Sequence, residues 1–555
     1  MKNKAFIKIT FLLLLGVVFT HYGCKKIVTD DLTINVNTDV LVSPTAILFE
    51  NAKSGATKQP TNFTLEISGK DADKVLSAIG NKTFEVQNGF VYLNLVKGVN
   101  PTVENPIVFQ IKGKASGFEP FMKDVVISSN EEQLLNIKLI EEGNLPKGLI
   151  EEKTTATLQN GVFTKQEVIK TSVDDNTSNY TKLTIEPGTT MKDINGEIIT
   201  GSKLDVNVRY FDPTTEAIDV FPGGLNPQNV LDEKGNEIEG GVNFISSGLM
   251  QIEMKANDKI VKNFSKPISA EMQLSPHEAN PFTGEKLKQG DTIPLWSRND
   301  ITGQWKAEGT ADVINENGTL VAKFKIKHLS SWNLDFVCWM PTSAIPLDII
   351  FTTKTGESKT GNIRATMYTQ NHSYITYNHF GSVKDQQVSR LPFTPSGVTV
   401  YLILTNYENG KKFKTELFNP TTKGKVYVDL SSILQTDLVN ISLKYTIKCT
   451  NNKFTPKGRT FITITDLMTN SRQIISTPNV KSSTISDNLK FSLVNNREYK
   501  IETIGLDGKI ISYQTIFNKS NLTYSKLNGF TVNKLIFNNA TQTVEADVSY
   551  VTTKC

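Results

Sequence analysis

Apolar and polar residues alternate along most of this chain with the period of a β-strand. Ile441, Leu443, Tyr445, Ile447 and Cys449 alternate strictly with Ser442, Lys444, Thr446 and Lys448, so one face of that run is buried and the other meets water. Similar runs occur at Leu204-Val206-Val208, Val400-Leu402-Leu404 and Val544 to Val551. Between them stand Asn88-Gly89, Asn160-Gly161, Asn195-Gly196, Asn317-Gly318, Asn409-Gly410, Asp507-Gly508 and Asn528-Gly529. These dipeptides readily take the positive φ of tight hairpins, and their recurrence predicts antiparallel sheets. Two short helical patterns, Asp71 to Ile79 and Ser431 to Leu438, each begin at a residue able to cap a first turn. The predicted fold class is all-β.

A length of 555 residues exceeds one hydrophobic core and calls for roughly three to five domains. The predicted organisation is a signal peptide (1-23), a modified cysteine with a polar tether (24-43), and four β-sandwich units at 44-142, 149-340, 342-440 and 441-555. The segment Glu141 to Gly148 reads as a linker. Tyr445-Thr-Ile-Lys-Cys449 and Tyr550-Val-Thr-Thr-Lys-Cys555 share a local pattern near the two ends of the last unit, a short match that suggests related strands or repeat borders.

At the N-terminus, Lys2, Lys4 and Lys8 precede an apolar stretch from Ile9 to Phe19. The stretch is shorter than the roughly 20 residues of a membrane-spanning helix and reads as a cleavable export signal. His21-Tyr22-Gly23-Cys24 follows at once. A cysteine so placed resembles the lipobox of bacterial lipoproteins, with Gly23 fitting that pattern and His21 and Tyr22 departing from it. The resemblance implies that Cys24 becomes a lipidated N-terminus and that the protein's membrane partner is reached through that lipid; the alternative is an ordinary signal cut elsewhere. Asp30-Asp31 resembles the acidic tag that carries Bacteroidetes lipoproteins to the outer surface, which favours a surface-facing over a periplasm-facing anchor. Three cysteines then remain: Cys338, Cys449 and Cys555. Cys449 and Cys555 each end a strand-like run and form the candidate disulfide, with three free thiols as the alternative.

The most specific sequence lies in the second β-unit. Glu186-Pro187-Gly188-Thr189-Thr190-Met191 leads into Phe211-Asp212-Pro213 and Phe221-Pro222-Gly223-Gly224-Leu225. Then come Ile293-Pro294-Leu295-Trp296, Asp300-Ile-Thr302-Gly303-Gln304-Trp305, Glu308-Gly309 and His328-Leu329-Ser330-Ser331-Trp332-Asn333. In this order they resemble the extracellular region of the astroprincin family, a segment of cartilage intermediate layer proteins and, through these, ZU-type β-domains. The resemblance covers about 150-340 and implies an extracellular adhesion or scaffolding module rather than a metabolic enzyme. All four tryptophans, Trp296, Trp305, Trp332 and Trp339, fall here; they form either an aromatic core or an exposed glycan-stacking platform. His328-Leu329-Ser330 resembles the site at which some ZU-type and adhesion-receptor domains cut themselves. By that resemblance His328 is the base, Ser330 the nucleophile and Leu329-Ser330 the scissile bond, while the alternative is a strand end and a turn. The pattern at Gly458 to Asp466 and Arg497 to Glu502 resembles prealbumin-like or Ig-like domains of Bacteroidetes surface proteins, and the first unit has a similar look.

Other chemistry is thin. A net charge of +4 with interspersed lysines and acids leaves no basic stripe for nucleic acid. Neither a phosphate-cradling glycine loop for a nucleotide nor a serine nucleophile elbow is present, and no sequence feature calls for a cofactor. No histidine or cysteine spacing suits zinc. Asp193-Ile-Asn195-Gly196 and Asp232 to Asn236 read as hairpin turns rather than calcium loops. The expected protein is a lipid-anchored binding, adhesion or structural chain with an unidentified protein or glycan ligand. Its rivals are a glycan-binding accessory of a polysaccharide-uptake system and a surface domain cut at Leu329-Ser330.

Overall fold

The computed structural model describes residues 41-552 apart from short intervals, the longer of which are 340-346, 353-362, 450-460, 477-483, 505-509 and 523-529. It is an all-β chain of tandem β-sandwiches. Three of the hairpin dipeptides take positive φ at both residues, with Asn88, Asn160 and Asn317 near +50°; at Asn195-Gly196 and Asn409-Gly410 only the glycine does, and Asp507-Gly508 and Asn528-Gly529 lie outside the described residues.

The first unit pairs two four-stranded sheets around Ile47, Phe49, Phe109, Phe118 and Ile127. Its opening strand, Leu41–Asn51, starts three residues inside the segment expected to be tether, and it lies between Phe90–Val96, antiparallel, and Gln133–Leu139, parallel. The same arrangement recurs twice. Leu347–Thr352 lies between Val388–Leu391 and the parallel Lys425–Asp429. Leu438–Cys449 lies between Thr484–Val494 and the parallel Thr543–Thr552. Numbered within each domain, and setting aside the extra edge strands Val75–Ser77 and Phe530–Asn538, all three flanking sandwiches have sheet orders 4-1-7 and 3-2-5-6. The parallel pairing of first and last strand closes each domain without a tight turn between them.

Within the described residues, which leave out 78-79 and 434-437, the predicted helices are not formed as such. Asp71 to Ile79 gives a single 3-10 turn, Ala72–Lys74, followed by the strand Val75–Ser77. Asp71 does not cap it; its carboxylate accepts the Val108 amide at 2.9 Å and pairs with Lys74 at 2.6 Å. Leu430–Ser432 is likewise one 3-10 turn, capped by Asp429. Runs this short repay too little of the cost of nucleating a helix.

The central unit is one continuous path of ten strands from Glu167–Lys170 to Leu149–Thr157, which curls until these two edge strands approach each other. Its interior holds Leu183, Ile185, Val206, Val208, Ile252, Ile268, Ile326 and Leu334. The excursion between Phe211 and Val242 lies outside that core and covers the outer face of the sheet. There Phe221 meets Phe211, and Phe244 sits between Trp296 and Trp305 at ring-centroid distances of 5.2 and 5.1 Å. This second core includes Tyr374 from the third unit, with Ile140 and Leu145 of the linker region packed against it. It is where three domains meet.

Candidate functional site

Three tryptophans answer the platform question. Trp296, Trp305 and Trp332 are 4%, 0% and 2% exposed, so they are core and present no stacking face; Trp339 lies at the end of the strand Ser331–Trp339.

The His328-Leu329-Ser330 triplet forms the two-residue corner between Thr319–His328 and Ser331–Trp339. These strands are separated in the sheet path by two others, so the chain turns abruptly from one part of the curled sheet to another. The Leu329 amide donates to the Lys262 carbonyl at 2.8 Å. Ser330 is buried, its hydroxyl 3.3 Å from His328 Nδ1. The imidazole leans on Trp332, with centroids 4.8 Å apart. On its far side, Nε2 lies 3.5 Å from Glu308 Oε1. Glu308 reaches this place because the strand Trp305–Glu316 carries one extra residue opposite Pro294-Trp296, with Gly309 at φ +92°. Burial raises the Glu308 pKa, but hydrogen bonds accepted from His328 and Ser297 outweigh it and hold the carboxyl below its ordinary value. The corner therefore places a carboxylate, an imidazole and a hydroxyl in a row. Such a row can orient the ring and draw a proton from the hydroxyl. No residue of the triplet has a left-handed backbone, and among the described residues no peptide is cis. In the sequence Glu308 stands out only within the Glu308-Gly309 pair; its place beside His328 depends on the bulge.

The second constellation joins domains. Arg209 forks onto Glu119 of the first unit, with both Nη–Oε distances 2.6 Å, while its Nε donates to Glu151 at 2.8 Å. Burial works against the guanidinium's charge, yet the two carboxylates raise its pKa further. Arg364 of the third unit forks onto Asp219 of the central excursion at 2.8 and 3.1 Å and lies 4.0 Å above the Tyr377 ring. Tyr377 in turn donates to the Asn136 carbonyl of the first unit at 3.0 Å. Burial raises the Asp219 pKa, but Arg364, Lys138 and Lys123 outweigh it and hold the carboxyl low. Asp219 is positioned by the 3-10 turn Glu216–Val220, whose Ala217 amide donates to the capping Thr215 hydroxyl. Gly148 permits this approach, since a Cβ there would fall 1.8 Å from Thr215 Oγ1.

Cys449 is paired in register with Thr552 on the neighbouring parallel strand. Cys555 lies outside the described residues, as does Cys24. Asp193 accepts the amides of Asn195 and Glu197 at 2.9 and 3.0 Å, and Asp232 accepts that of Asn236 at 2.8 Å, so both close their own turns. Among the described residues no group of three His, Cys, Asp or Glu side chains could hold a metal, and no helix is long and apolar enough to cross a membrane.

No family model matches the chain, and no curated protein matches it. Among solved structures it is similar to the major pilin subunit BcpA of Bacillus cereus, with 11% identity, 92% of this chain and 99% of that one covered, and a TM-score of 0.13. The TIE protein of Bacillus anthracis shares 13% identity over 89% of this chain and 74% of its own, with a TM-score of 0.13. The major pilin SpaD of Corynebacterium diphtheriae shares 9% over 92% and 97%, with a TM-score of 0.12. At such values these likenesses carry no argument about role.

Proposed function

We propose that this chain is a lipid-anchored structural or adhesion protein of a Gram-negative envelope of Bacteroidetes type, displayed on the cell surface and without metabolic enzyme activity. The observation that carries the reading is the locking of successive sandwiches by largely buried forked ion pairs, Arg209 to Glu119 and Arg364 to Asp219. A chain that must transmit or resist force gains from stiff junctions, whereas enzymes of several domains commonly keep theirs mobile around a cleft. Anchoring rests on the export signal and Cys24. Membrane fractionation with protease treatment of intact cells tests it: the wild type is expected in the membrane and degraded from outside, and Cys24→Ser is expected to be released. A Cys24→Ser protein that stays membrane-bound overturns the anchor. Retention of a polysaccharide on a glycan array by the 25-555 fragment would favour the uptake-accessory reading instead.

The corner supports a second reading, self-cleavage at Leu329-Ser330. The Ser330 oxygen would attack the Leu329 carbonyl as His328 takes its proton, Glu308 steadying the ring; the amide nitrogen leaves protonated, and water then splits the ester. The purified chain should migrate as two fragments that merge into one in Ser330→Ala. A single full-length wild-type band overturns this reading and leaves the structural one intact.

A further inference from the structure

We propose that the third unit pairs with a second copy of this chain, edge to edge along the strand Lys425–Asp429, about a two-fold axis at Tyr427. This goes beyond the structural reading by naming a partner, and it stands without the lipid anchor. Lys425–Asp429 is the last strand of its unit and pairs with Leu347–Thr352 alone. In the first unit the equivalent strand, Gln133–Leu139, has Tyr374–Phe380 and the turn Glu216–Val220 packed beside it, and Tyr377 donates to its Asn136 carbonyl. In the fourth unit the equivalent edge is covered by the added strand Phe530–Asn538. Among the described residues, the third unit leaves this edge unpaired.

The edge is complementary to its own reverse. The Asp348 amide donates to the Gly424 carbonyl at 3.2 Å. Backbone groups alternate in direction along a strand, so Val426 and Val428 turn theirs to that same neighbour, while Lys425, Tyr427 and Asp429 turn theirs outward. An antiparallel copy centred on Tyr427 then sets Lys425 against Asp429 at both ends, Val426 against Val428, and Tyr427 against itself. In that register the outward groups of Tyr427 bond to their copies and those of Lys425 to Asp429. An edge lysine ordinarily deters pairing, but here each one meets an acid. Lys425 is exposed; Asp429 accepts the Ser431 amide at 2.9 Å, and a carboxylate can take further donors. The side chains agree. Val426 and Val428 lie in the core, whereas Val388, Ile350 and Tyr427 form one row across the outer face, Val388 52% and Tyr427 64% exposed. Pairing continues this row into the copy and brings two exposed tyrosines together. Two short strands bury little area, so association is modest and depends on concentration.

The test uses the whole mature chain carrying Cys24→Ser, so that no lipid drives association. Sedimentation equilibrium over a range of concentrations should show monomer passing into dimer. Lys425→Glu places an acid opposite Asp429, and Asp429→Lys places a base opposite Lys425, so each alone should weaken self-association about tenfold. An equimolar mixture of the two should restore it, because every pair across the axis is then opposite in charge. Tyr427→Cys, at an exposed position, should link two copies under mild oxidation, since opposed hydrogen-bonded residues lie about 5.5 Å apart at Cα, within disulfide reach. A parent chain that stays monomeric up to millimolar concentration, a mixture no more associated than its components, or a Tyr427→Cys protein linked no more than its parent overturns the proposal. Each of these leaves the anchored structural reading standing. Should Asp429→Lys fold poorly through loss of its bond to Ser431, the parent chain and the cysteine variant decide the outcome.

Discussion

Breaking the Arg364–Asp219 pair should loosen the third unit from the central one, and by an amount that depends on how it is broken. The two side chains are 13% and 12% exposed, so solvent screens them little and the values for exposed pairs do not apply. In Arg364→Met the Asp219 carboxylate stays within its excursion with only Lys138 and Lys123 to offset it. Removing one member of a buried pair costs about 3–5 kcal/mol, and the lost contact with the Tyr377 ring adds about 0.5–2 kcal/mol. Replacing both charges, in Asp219→Leu with Arg364→Met, should restore most of the loss, since well-packed apolar pairs of similar volume are often neutral within ~1 kcal/mol or better. The pH dependence has a fixed sign. Asp219 titrates below its ordinary 3.8 in the folded chain, so the pair's contribution is present above that value and is lost as pH falls through the lower folded one. Denaturant unfolding of the two single variants and the double variant gives the coupling energy, and limited proteolysis near 340-346 reports the loosened junction. Additive effects, with coupling under ~0.5 kcal/mol, would refute the view that this contact locks the domains.

Further outcomes follow from burial. Glu278, buried and held by Ser247 Oγ at 2.9 Å, is pushed up to about 7 by burial, with Asp212 adding to the rise. The folded chain therefore keeps a proton that the unfolded chain loses above 4.5, so stability falls as pH rises from there to about 7, by roughly 3 kcal/mol in all; Glu278→Gln should flatten this slope in melts between pH 4 and 8. Trp305→Ala should cost about 3–5 kcal/mol by emptying the aromatic cluster, measured by denaturant unfolding, and a change within error would contradict its place in the core. Gly148→Ala should destabilise by at least ~1 kcal/mol, because a methyl would collide with Thr215 and the backbone φ is +83°; unchanged stability would argue against that close approach.

The strands were legible in the sequence because their cause is local. Alternation at Ile441 to Cys449 reports one wet and one dry face wherever the strand goes, and Asn88-Gly89 or Asn317-Gly318 turns tightly whatever lies around it. The buried tryptophans were legible as one of two readings, since bulk alone does not say which side faces water. The false helices at Asp71 and Ser431 show the limit of the local argument: caps were available, but strand pairing and partners such as Val108 claimed the same residues. What the tertiary structure alone decided is partnership across long separations. Glu308 meets His328 only because of a bulge, and Arg364 meets Asp219 from 145 positions away. The three flanking domains share a strand order, whereas the matching segments at Tyr445 and Tyr550 lie on neighbouring parallel strands within one of them. A sheet order is satisfied by many sequences that merely keep the alternation, whereas which charge meets which across a domain junction is fixed by the packing that removes both from water.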